Sequence, residues 1–87
     1  MNDTKKYFVV YENCIGKIDV DMFEATNIKD FIIKFAICAG DDSELFRKAL
    51  MGCESDSEYI EMYKQFGRCV INAIYKVNNV VWSKNEK

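Results

Sequence analysis

The hydrophobic period of this chain changes near Asn27, and that change limits what it can fold into. Upstream, Tyr7-Phe8-Val9-Val10-Tyr11 is a run of aromatic and β-branched residues, and Ile18, Val20 and Met22 alternate with Asp19 and Asp21. A period of two belongs to an antiparallel strand with one buried face. Between the two runs, Glu12-Asn13-Cys14-Ile15-Gly16 supplies turn chemistry, with Asn13 and Gly16 able to take positive φ. The reading is a hairpin over 6–24, with Ile18, Val20 and Met22 toward the core and Asp19 and Asp21 toward water.

Downstream the period becomes helical. Ile28, Phe31, Ile32, Phe35, Ala36 and Ala39 form one stripe behind Asn27, a good N-cap, and Gly40 is a natural stop. A second helix starts from Asp41, with Glu44 three residues on, and ends at Gly52. A third opens on the Ser55–Glu58 capping box, and Tyr59, Tyr63, Phe66, Val70, Ala73 and Val77 continue its stripe. Cys69 to Val77 is also rich in β-branched residues, and Asn78-Asn79 could turn the chain into Val80-Val81-Trp82 as a terminal hairpin. The unbroken spacing from Tyr59 favours the helix. The expectation is therefore an α+β fold in a single domain, 1–87. An N-terminal antiparallel β-hairpin packs against three α-helices (27–39, 42–51 and 56–77), the third longest, with a frayed tail at 83–87.

Composition bounds the function. At 87 residues, 49% hydrophobic and 14% aromatic, the chain is far from disordered and holds one core. No apolar run approaches the ~18 residues of a membrane span, and the N-terminus lacks the pattern of a signal peptide. A cytoplasmic protein is expected. There is no histidine, so a base near neutral pH would have to be a shifted carboxylate, a lysine or a thiolate. Cys14, Cys38, Cys53 and Cys69 stand 24, 15 and 16 residues apart, without the close pairs of a zinc module. Cys38 and Cys69 read as small buried hydrophobes. Neither catalysis nor a metal or other cofactor is expected.

The acids are crowded into the middle. Residues 19–61 carry eleven acids against four bases, a local net of −7 in a chain of net −2. Seven of the eleven (Asp30, Asp41, Asp42, Glu44, Glu54, Asp56 and Glu58) lie at or beside expected helix starts, where they cap amides and oppose the helix dipole. Asp19, Asp21, Glu24 and Glu61 remain. Asp19 and Asp21 project from one strand face about 7 Å apart, a spacing that suits a basic groove. With Glu24, the strand tyrosines Tyr7 and Tyr11, and Trp82, they form the candidate protein-binding set. A competing nucleic-acid reading rests on Lys64, Arg68 and Lys76 along the third helix, against an isoelectric point near 5.1.

Phe, Tyr, Met, Ile, Asn and Lys, the residues of AT-rich codons, make up 41 of the 87 positions. In size and composition the chain resembles phage and mobile-element accessory proteins as a class. Many of these act as stoichiometric inhibitors, anti-CRISPR and other anti-defence proteins among them. That resemblance implies a host partner that handles nucleic acid, with a nucleic-acid-binding regulator or a homo-oligomeric structural subunit as alternatives.

Overall fold

The computed structural model describes residues 4–41, 43–76 and 79–83, with the backbone alone at 79, 80 and 82. Two strands, β1 (Lys5–Glu12) and β2 (Ile18–Ala25), are followed by three helices, α1 (Ile28–Ala39), α2 (Glu44–Met51) and α3 (Asp56–Phe66). Two more strands close the chain, β3 (Val70–Lys76) and β4 (Asn79–Ser83). The fold class is α+β. The sheet, however, has four antiparallel strands in the order β2-β1-β3-β4, so the N-terminal pair is only half of it.

The third helix is not the longest. It covers 11 residues against 12 in α1, and the stretch from Val70 is strand. Of the expected 56–77 helix, position 77 lies outside the described residues, as do 84–87 of the expected tail. Ser83 belongs to β4. Two features stop α3. Gly67 is extended (φ −87°, ψ 152°), and a Cβ there would fall inside the Tyr63 ring. The next amide, Arg68 N–H, is drawn out of the helix by the Asp41 carboxylate at 3.2 Å. The β-branched run that follows then pairs with β1, from Tyr7 opposite Lys76 to Glu12 opposite Val70. A register shift between Val10 and Tyr11 leaves Asn72 as the extra residue on β3, its Oδ1 buried without a hydrogen-bond partner among the described residues.

The other helix ends follow from capping. Asn27 accepts the Asp30 amide at 2.8 Å, and Gly40 closes α1 at φ 79°. The Ser55–Glu58 box is made in both directions. At α2 the cap is Ser43, which accepts from the Phe46 amide, rather than Asp41. Asp41 is instead buried, and Asp42 lies outside the described residues.

All three helices lie on one face of the sheet. Tyr7, Val9, Ile71 and Ile74 meet Ile28, Phe31, Ile32, Phe35 and Ala36 of α1, Phe46 and Leu50 of α2, and Ile60, Met62 and Tyr63 of α3. Aromatic contacts organise this core. Phe31 and Phe35 stack at 6.0 Å, Phe23 meets both edge-on at 5.8 Å, and Tyr63 closes on Phe35 at 5.2 Å. Such pairs are worth about 0.5–1.5 kcal/mol each beyond their buried area.

Those rings also decide which way β2 faces. Phe23 and Ala25 point at the helices, so Asp19 and Asp21 share their side. Ile18, Val20 and Met22, expected in the core, lie on the opposite face with 56%, 61% and 45% of their surface exposed. A strand has only two faces, and the one carrying a phenylalanine that reaches two α1 rings takes the core side.

Asp41 joins the layers. Its carboxylate accepts the Tyr63 hydroxyl at 2.8 Å and the Arg68 amide, with Arg68 Nε at 3.5 Å. Asp41→Ala strands both donors and should cost about 1–3 kcal/mol for each. Tyr63→Phe, which removes one donor and leaves the ring, should cost less. Urea denaturation of the two variants checks the order.

Candidate functional site

The turn between β1 and β2 is built by Asn13. Its Oδ1 accepts the amides of Ile15 (3.1 Å) and Lys17 (2.9 Å), its own N–H donates to the Lys17 carbonyl, and Gly16 takes φ 86°. The Asn13 Nδ2 is left to donate to Asp19 at 2.9 Å. One pair further along, the Tyr11 hydroxyl donates to Asp21 at 2.5 Å, while its ring lies edge-on to Phe35 at 5.0 Å. Tyr11, Asp19 and Asp21 therefore meet on one face at the turn end of the sheet, held by local hydrogen bonds.

Beside them opens a cleft of about 260 Å³. Tyr11, Asn13, Cys14 and Asp19 form one wall. Phe35, Cys38 and Ala39 of α1 form the second, and Arg68 and Cys69, between α3 and β3, the third. Small-molecule pockets usually run to about 300–1,000 Å³. This cleft is the size of one or two inserted side chains, and it offers a carboxylate, an amide, a phenol and a guanidinium around an apolar floor.

Burial pushes the Cys69 thiol up, and burial does the same at Cys53. Cys14 and Cys38 are exposed, so Cys38 is not the buried residue the sequence suggested, because it sits on the solvent side of the last turn of α1. Three thiols thus share the cleft. Among the described residues, no three Cys, Asp or Glu side chains converge so as to hold a metal ion.

The remaining candidates lie elsewhere. Tyr7 is buried against Phe31 and cannot meet a partner; the strand face it left open carries Phe8 and Val10. Glu24 faces away from the helices, opposite Lys6. Trp82 pairs through its backbone with Ile74, and its side chain lies outside the described residues. Lys64, Arg68 and Lys76 do not form the helical stripe that α3 was expected to carry. Lys64 pairs with Glu61 on α3, Arg68 leans on Asp41 after the helix has ended, and Lys76 is on β3.

A second surface was missed by reading the strands singly. The face of the sheet turned away from the helices carries Phe8, Val10, Ile18, Val20, Met22, Val70 and Tyr75. The alternation in β2 was a usable signal, with the wrong face assigned to the core. Among the described residues no helix is long and apolar enough to cross a membrane. In comparisons with protein-family models, curated proteins and solved structures, nothing matches this chain.

The phenols give a pH signature. The hydrogen bond to Asp21 raises Tyr11, with burial adding to it, while burial leads at Tyr63 and Tyr7. The fold holds all three protonated past the ordinary value of 10.0. Their contribution to stability is thus complete below pH 10 and is lost as pH rises through their folded values. A spectrophotometric titration should show three late phenols that ionise together with unfolding. Alkylation at pH 8 followed by peptide mass analysis should label Cys14 and Cys38 ahead of Cys53 and Cys69.

Proposed function

We propose that the chain is a small, non-catalytic protein-binding module. The turn end of its sheet engages a basic surface on a host protein that handles nucleic acid. One observation carries this reading. Tyr11 and Asp19, singled out by residue type and alternation, line a cleft sized for a side chain, and Asp21 holds the Tyr11 hydroxyl behind it. A lysine or arginine of the partner would enter beside Asp19 and pack on the Tyr11 ring, an arrangement that suits a buried interface anchor. The turn tip presents Ile15, 74% exposed, as an apolar neighbour to that anchor. Size and codon-linked composition support an accessory inhibitor of phage or mobile-element type, anti-CRISPR proteins being one such group. A cytoplasmic site of action is part of the same proposal.

The regulator alternative, direct binding of DNA or RNA, loses its geometric support once Lys64, Arg68 and Lys76 fall on three separate segments. Affinity capture from the host tests the proposal. The wild-type chain should retain a basic protein, and capture should weaken as salt rises. Asp19→Lys should reduce it at least about tenfold, the loss of ~1.4 kcal/mol expected for a reversed charge at an anchor. Undiminished capture by both Asp19→Lys and Tyr11→Ala would contradict the assignment. A salt-steep mobility shift with bare nucleic acid would favour the alternative.

A further inference from the structure

Three rows of apolar side chains cross the uncovered face of the sheet. Met22, Phe8 and Tyr75 are neighbours in register, then Val20 and Val10 beside the buried Ala73, then Ile18 and Val70 on either side of Glu12. Phe8, Ile18, Val20, Met22, Val70 and Tyr75 are between 38% and 61% exposed. Together these six residues expose roughly 500–600 Å², backbone and the Tyr75 hydroxyl included, toward the upper end of what a typical monomer shows in one patch. The charged groups sit at the ends of the face, Lys6 and Glu24 at one and Glu12 at the other.

We infer that this face is covered by a second copy of the chain, packed sheet on sheet about a two-fold axis. Three considerations select that occupant. A sheet apolar on both sides needs a layer on each, and the helices among the described residues cover only one. The middle of the face carries no charged side chain, the composition of permanent self-association, since surfaces that meet partners transiently are as polar as the rest of a protein. Pairing two such faces removes on the order of 1,200 Å² before the rim is added, the lower bound for a stable specific interface. Aligned packing of two sheets about 10 Å apart, with the axis running across the strands, also sets Lys6 of each copy over the Glu12 end of the other. The cleft with Tyr11 and Asp19 lies on the helix side, so pairing leaves it open and the dimer presents it twice. The dimer rests on the uncovered face alone and stands or falls independently of the host partner.

Sedimentation at about 100 μM, well above a micromolar dissociation constant, tests it. The wild-type chain should run at twice its 10.1 kDa monomer mass. Val20→Lys and Ile18→Lys, each placing a charge on the outer side of edge strand β2, should run at half the wild-type mass with unchanged circular dichroism. Leu45→Lys removes a 68% exposed leucine on α2, outside the face, and should remain dimeric. A second readout needs no variant: peroxide should oxidise Met51 at any protein concentration, while Met22 becomes protected as concentration rises. A monomeric wild-type chain at 100 μM, or Met22 reactivity independent of concentration, would overturn the inference. So would dissociation by Leu45→Lys with Val20→Lys and Ile18→Lys still dimeric.

Discussion

The carboxylate of Asp41 decides the topology. It sits just past the last turn of α1, buried, and accepts the Tyr63 hydroxyl and the Arg68 amide. By taking the Arg68 N–H it fixes where α3 gives way to strand. By holding the phenol it sets the Tyr63 ring against Gly67, where only a residue without a side chain fits. These bonds are worth a few kcal/mol at most. Their importance is positional, because without the break at Gly67 the segment from Val70 could not lie beside β1, and the sheet would lack its second central strand.

The aromatic core sets the face of β1 and β2. Phe31 and Phe35 give α1 a surface that Tyr7, Tyr11 and Phe23 reach from the sheet and Tyr63 from α3. Turning Phe23 and Ala25 inward turns Ile18, Val20 and Met22 outward. Full burial of such side chains is worth about 1.5–3 kcal/mol each. That unrealised burial is the driving force available to the self-association proposed above. The same choice brings Asp19 and Asp21 to the helix side, where Asn13 and Tyr11 bind them and Asp19 edges the cleft.

How much of this was legible depends on whether the deciding interaction is local. The change of period at Asn27, the Asn27 cap and the Ser55–Glu58 box rest on residues three or four apart, and they could be read directly. The end of α3 could not, because the spacing from Tyr59 to Val77 fits a helix, and the break at Gly67 is fixed by Asp41, 27 positions away from Arg68. The face of β2 was ambiguous for a similar reason: Ile-Val-Met against Asp-Asp-Phe-Ala favours the first set until the α1 rings are present. Of the candidate site, Tyr11, Asp19 and Asp21 were found through alternation, whereas Tyr7 shared the pattern but not the location and Glu24 falls in the opposite register. Cys14, Cys38 and Cys69 meet at the cleft through three separate elements, and their intervals of 24 residues and more carry no trace of it.

The orientation of β2 underlies both the cleft and the apolar face, and proton–proton contacts in solution measure it directly. The Phe23 ring should show nuclear Overhauser effects to the rings of Phe31 and Phe35, with the Val20 and Met22 methyls showing none to α1. Contacts from Val20 or Met22 to the α1 rings, with Phe23 silent, would contradict the account.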